Sequence, residues 1–165
     1  MFDARLAELG ITLPGPFPPH DPLDPVVVHG GTARTSGCLP RDVDGNFAIG
    51  LLGRELTPEQ GAECAGLCAQ NALSLLRAAL GSLDAIERVL TMTVYVACTD
   101  SFTQQPAVGD GASRVLEQVF GAAGRHTRSA IGVAALPRGA PVEVEVTVAL
   151  HPVAVKSDSV KLEGA

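Results

Sequence analysis

Residues 125–148 read RHTRSAIGVAALPRGAPVEVEVTV, and the reading of this stretch decides the fold. Its second half alternates strictly, with Val142, Val144, Val146 and Val148 on one face and Glu143, Glu145 and Thr147 on the other, the period of two that a pleated strand imposes. LeuProArgGlyAlaPro at 136–141 supplies turn chemistry ahead of it. The expectation is a β-hairpin over 127–149, its turn centred between Arg138 and Gly139. Arg128, Glu143 and Glu145 lie on it and His126 beside it, more ionisable groups than strand formation requires.

Upstream, LeuThrProGluGln at 56–60 opens a helix: Thr57 caps, Pro58 suits the first helical position and Gln60 completes a capping box. Ala62, Ala65, Cys68, Ala69, Ala72, Leu73, Leu76, Ala79 and Leu80 then recur at three- and four-residue steps until Gly81, which predicts a helix of about 23 residues laid across a sheet. Residues 86–97, IERVLTMTVYVA, are too β-branched for a helix and read as a long strand. A second helix follows within 101–120, starting near Pro106 or Ala112 and closed by Gly121 and Gly124.

Ahead of the first helix, Val26–His29 and residues 32–37 form a hairpin about Gly30 and Gly31, and residues 47–53 read as a third strand. Residues 3–9 make a short amphipathic helical turn with Leu6 and Leu9 on one side and Gly10 as its stop. Pro14, Pro16, Pro18, Pro19, Pro22 and Pro25 then exclude both helix and interior strand. What remains is an extended arm, lying on a neighbouring subunit or serving as a plain linker.

The order β-β-β-α-β-α-β-β predicts an α+β chain, a mixed sheet of six strands with two helices on one face. Residues 26–151 form a single domain, 1–25 the Pro-rich arm, and 152–165, which lose the strand pattern, a flexible tail. The chain has 165 residues, 46% of them hydrophobic, with no Trp and one Tyr, so one core is expected, built from Ala, Val and Leu. Two helices cannot cover both faces of the sheet. Burial of the other face by further copies, in a closed homo-oligomer, is the expectation, since large exposed apolar patches are rare on monomers.

A formal net charge of −6 argues against nucleic acid as a partner, because phosphate-backbone binding is driven by Lys and Arg. The N-terminus MFDARLAELGITLP carries an acidic residue at position 3 and has no long apolar core, unlike a signal peptide or a membrane span. A cytoplasmic protein is expected. Cys38, Cys64, Cys68 and Cys98 have no CxxC spacing, and His20, His29 and His151 no ligand spacing with them. No metal is predicted. Cys64 and Cys68, four apart on the helix, are read as buried, reduced thiols.

Each candidate site residue has two readings at this level. Arg128 carries a permanent charge on a fork that matches a small carboxylate, or it pairs with Glu143 or Glu145 in an ordinary salt bridge. Ala130, Gly132 and Ala134, alternating on its face, leave room for a guest or admit another backbone. Glu143 positions water or transfers a proton, or is a plain strand glutamate. His126 is an accessory acid or base, or a hydrogen-bonding residue at a strand entrance. Ser36 and Gly37, in ThrSerGly at 35–37, hold an oxygen of the guest or simply make a turn. In a simple hairpin Arg128 stands opposite Ala149, roughly 20 Å along the ladder from Glu143, so the two would meet only across a subunit interface.

ThrSerGly at 35–37, the passage GlyLeuLeuGlyArgGluLeuThrProGluGln into a helix with GlnAsnAlaLeu at 70–73, GlySerLeuAspAlaIle at 81–86, and above all ArgSerAla…Val…LeuPro…ValGluValGlu resemble the RidA/YjgF family, the reactive intermediate deaminases also termed endoribonuclease L-PSP-like. The likeness spans residues 26–150. It implies a chorismate-mutase-like fold of the bacillus type, a homotrimer with sites between subunits, and hydrolysis of small reactive enamine or imine acids to 2-keto acid and ammonia without a cofactor. Arg128 then matches the arginine that binds the substrate carboxylate, Glu143 the acid that positions water, and Ser36 and Gly37 a hydroxyl and a backbone contact. Ala130 stands where that type has Cys, and its tyrosine before the first strand has no counterpart. The Pro-rich arm and GlyArgHisThrArgSerAlaIleGlyVal resemble a less-characterised subgroup with an N-terminal extension. The competing expectation is a non-enzymatic trimer that binds a small carboxylate and reports it to a partner.

Overall fold

Thr57 opens the longest helix as its sequence predicts. In the computed structural model, which describes residues 1–18 and 21–152, α2 runs Pro58–Leu80 after a short α1 at Phe2–Glu8. Thr57 accepts the Gln60 N–H at 3.3 Å while the Gln60 side chain accepts the Thr57 N–H at 2.9 Å, a complete capping box. Gly81 ends the helix in the left-handed region at φ 80°, where glycine carries no Cβ penalty.

Among the described residues the sheet contains five strands, β1 Val26–His29, β2 Thr32–Thr35, β3 Ile86–Ala97, β4 Thr127–Val133 and β5 Val142–Leu150, in the order β1-β2-β5-β3-β4. Gly30 and Gly31, at φ 57° and 75°, make the tight β1–β2 turn whose twist suits antiparallel strands. The hairpin expected over 127–149 does not form: β4 pairs parallel with one edge of β3 and β5 antiparallel with the other. The cause is helix α3, Gln105–Phe120. It carries the chain from the end of β3 back to its start, so β4 must run parallel to β3. The 3-10 turn Pro137–Gly139 then passes the chain across the end of β3, with Arg138 at φ 59° and Gly139 at φ 74°.

The sixth strand expected over 47–53 is also absent. Gly50 and Gly53 adopt φ values of 137° and 82°, which break an extended run, and pairing shrinks to single bridges from Leu52 to Cys98 and Leu56. Leu52 still buries its side chain fully.

Helices α2 and α3 pack on one face of the sheet. Val142, Val144, Val146 and Val148 of β5 and Val89, Met92, Val94 and Val96 of β3 point at them and are buried. The helices approach closely because Gly111 of α3 lies against the Ala62 backbone, where any Cβ would overlap the carbonyl. Burial at that crossing explains why α3 runs unbroken through GlyAspGly at 109–111. The opposite face presents Glu143, Glu145, Tyr95 and Thr93, all partly buried, and is more polar than a sheet rich in Val and Ala suggested.

Residues of the N-terminal segment lie on their own chain. Phe2 meets Phe120 edge to face with ring centroids 4.8 Å apart, Ser74 donates to the Pro14 carbonyl at 2.5 Å, and the Arg41 guanidinium stacks 4.8 Å from the Phe17 ring. His20 and the tail from residue 153 onward lie outside the described residues. Among those described, no helix is long and apolar enough to cross a membrane.

Candidate functional site

Two clusters of polar side chains flank the sheet, one on each face. The first is built on β4 and α3. Parallel pairing aligns Arg128 with Met92, whose side chain is buried under the helices, so Arg128 also points to the helical side. It reaches α3 at the outer edge of the sheet. Its Nη1 donates to Asp110 Oδ1 and to Ser113 Oγ, each at 2.9 Å, and its Nη2 to the Pro106 carbonyl at 3.1 Å. Gly109 backs the guanidinium closely: a Cβ there would come within 3.2 Å of Cζ and Nε, so the arginine would have to shift by a few tenths of an ångström to admit one. The Arg128 side chain is only 19% exposed.

His126 extends this cluster. Its Nε2 lies 3.1 Å from Ser113 Oγ and its Nδ1 2.6 Å from the Gly124 carbonyl oxygen. A carbonyl only accepts, so the tautomer satisfying both contacts carries its proton on Nδ1 and accepts the Ser113 hydroxyl at Nε2. A surface cleft of about 410 Å³ opens here, lined by Ser113, Glu117, Gly124, Arg125, His126 and Arg128.

Along the same face of β4, Ala130 packs against the core. Gly132 faces the thiol of Cys98 and the amide of Gln105, each 3.0 Å from where its Cβ would stand. The small residues therefore admit side chains, not another backbone.

The second cluster stands on the open face. Glu143 pairs in register with Tyr95, and Glu145 with Thr93. Glu145 is occupied, accepting Arg34 Nη2 at 3.0 Å and the Tyr95 hydroxyl at 3.3 Å on the same oxygen. Glu143 is half-buried against Gly37, where any Cβ would overlap its Oε1. Burial, and then the charge of Glu145, push its pKa above the ordinary carboxylate value. Ser36 lies beside Gly37, but its hydroxyl donates to the Asp24 carbonyl at 2.8 Å.

The structure thus brings His126 to Arg128 and Gly37 to Glu143, and sets those two pairs on opposite faces. Arg128 pairs with Asp110, neither with Glu143 nor with Glu145. Asp110, Ser113 and Tyr95 did not stand out in the sequence. For the first two, the signal was their i,i+3 spacing on one helix face, which aims both at one neighbour. Cys38 and Cys68 are deeply buried thiols, and burial pushes Cys38 up to about 12. Among the described residues, no group of three or more His, Cys, Asp and Glu side chains could hold a metal.

A mixed sheet of five strands with helices on one face and small polar clusters on both defines a chorismate-mutase-like α+β protein. Residues 3–147 match the family model described as "YjgF/chorismate_mutase-like, putative endoribonuclease", and the chain belongs to that family. It is 42% identical over 149 residues to Protein TCP17 of Trypanosoma cruzi, covering 90% of this chain and 93% of that protein. Among solved structures it resembles Atu1372 of Agrobacterium tumefaciens, a protein of unknown function, with TM-score 0.84, 36% identity, and 91% and 93% of the two chains covered. It also resembles a "putative endoribonuclease" of Shewanella oneidensis, with TM-score 0.86, 28% identity, and 91% and 99% covered.

Proposed function

We propose that this chain is a homotrimeric hydrolytic deaminase of small reactive enamine or imine acids, releasing a 2-keto acid and ammonia. The observation that carries the reading is the state of Arg128. Of the five N–H donors of a guanidinium, three are engaged by Asp110, Ser113 and Pro106, which leaves Nε and one Nη2 hydrogen without a partner among the described residues, beside an open cleft. Two parallel donors on a side chain held by its neighbours suit a substrate carboxylate.

The second half of the site is Glu143 with Gly37 and Ser36, supplied by the adjacent subunit. The Glu143 carboxylate binds a water whose oxygen adds to the C=N carbon. The raised pKa supports proton exchange with that water and with the departing nitrogen. Collapse of the carbinolamine breaks the C–N bond and yields ketone and ammonia. The site residues, the trimer and the substrate class are all part of the proposal.

The test is release of ammonia and keto acid from 2-aminoacrylate generated in situ. Wild type should exceed buffer, and Arg128→Ala should fall to the buffer rate; equal rates for all three refute this reading. The second reading, a carboxylate-binding trimer without turnover, is favoured by the Asp110 partner, which already neutralises Arg128. It predicts saturable, Arg128-dependent binding of a keto acid with no turnover. The ribonuclease reading is opposed by the net charge of −6 and by the absence of Trp beside a single Tyr.

A further inference from the structure

Ser113 sits in the middle of α3, where a serine hydroxyl ordinarily turns back to the carbonyl four residues earlier or faces water. Here it lies between Arg128 Nη1 at 2.9 Å and His126 Nε2 at 3.1 Å. The imidazole is itself held at Nδ1 by the Gly124 carbonyl oxygen at 2.6 Å. Ser113 accepts from a cation, which favours its alkoxide, and with His126 in the tautomer protonated at Nδ1 it donates to a ring nitrogen that a third group orients. That is the hydrogen-bond order of an activated serine: nucleophile, base, and a group fixing the base. All three side chains line one open cleft together with Glu117 and Arg125.

We propose that Ser113 is a nucleophile with His126 as its general base, and that this cleft hydrolyses small activated esters through an acyl-Ser113 intermediate. Oγ of Ser113 adds to the ester carbonyl as His126 Nε2 takes the hydroxyl proton. The carbonyl oxygen, now negative, is stabilised by the guanidinium of Arg128. The C–O bond to the alcohol breaks as His126 returns the proton to the leaving oxygen. Water then repeats the sequence: its proton passes to His126, its oxygen adds to the acyl carbon, and the Ser113–acyl bond breaks as His126 returns that proton to Ser113 Oγ, releasing the acid. No oxidant, metal or cofactor is needed. The reaction is distinct from imine hydrolysis and uses neither Glu143 nor a second subunit.

The experiment treats full-length protein with diisopropyl fluorophosphate at neutral pH, and in parallel with p-nitrophenyl acetate. Adducts are located by peptide mass spectrometry and nitrophenol release is followed with time. The expected result is a single phosphoryl adduct on Ser113 and a nitrophenol burst of one equivalent per chain. Both should be absent in Ser113→Ala and slowed at least tenfold in His126→Asn. Absence of the Ser113 adduct, or a rate unchanged in a folded His126→Asn, overturns the proposal. Imine turnover is not read in this assay, so failure here and failure of the deaminase reading are separate results.

Discussion

Arg128 and Glu143 project from opposite faces of one sheet, on strands separated by β3. Arg128 aligns with Met92 and Glu143 with Tyr95, an even-to-odd step along β3 that places them on different sides of the pleat. Within one chain they cannot hold the same small molecule. A site using both must take one from each of two subunits.

That requirement gives a complementation test. Arg128→Ala and Glu143→Gln should each abolish imine hydrolysis, and the two inactive proteins, co-refolded in equal amounts, should regain about a quarter of the wild-type activity, because random assembly completes that share of inter-subunit sites. No recovery in demonstrably mixed trimers contradicts a shared site.

Glu143 makes stability depend on pH with a definite sign. Its folded pKa is raised by burial and by Glu145, so its favourable contribution is full below the ordinary carboxylate range and is lost as pH rises through the raised value. Glu143→Gln, which cannot ionise, should therefore raise the melting temperature at pH 8 and leave it nearly unchanged at pH 4. Equal shifts at both values would show that the carboxylate ionises in the fold as freely as in water.

Gly111 reverses the usual helix rule. Replacing an exposed mid-helix glycine with alanine ordinarily stabilises by about 1 kcal/mol. Here the new methyl group would overlap the Ala62 carbonyl across the α2–α3 contact. Gly111→Ala should destabilise by about 1–3 kcal/mol instead, measured by urea unfolding.

Thr57 offers a local control, since its side chain hydrogen-bonds only within its own helix cap, to Gln60. Thr57→Ala removes the side-chain acceptor of the capping box and should cost about 1 kcal/mol, with imine turnover per folded molecule unchanged.

Much of the architecture could be read locally. Helix α2 came with its cap, its glycine stop and its apolar steps all in the sequence, and β3 with its β-branched run. The error at 127–149 has a physical source. Alternation reports which residues share a face, and it did so correctly for β5, but it does not name the neighbouring strand. Two alternating strands joined by a Pro-Gly turn look the same whether they pair with each other or straddle a third. The strand expected over 47–53 failed for a related reason, since its hydrophobic residues served burial at Leu52 without ladder pairing.

The same division runs through the polar clusters. Arg128, Glu143, Ser36, Gly37 and His126 could be singled out by residue type and by family likeness, but their partners could not. Asp110 and Ser113 reach Arg128 only because α3 crosses back over the edge of the sheet, and Gly37 backs Glu143 only because Cys38 bridges to Val144.

What the sequence by itself determined was the kind and extent of α2, β3 and β5 and the alternating face of β5, because helix capping, apolar period and turn residues act between near neighbours. Only the tertiary structure decided that β5 is the central strand, that β3 separates it from β4, and that Arg128 and Glu143 therefore face apart. Those relations come from closing long loops and packing α3 against α2, and are set by the whole core at once.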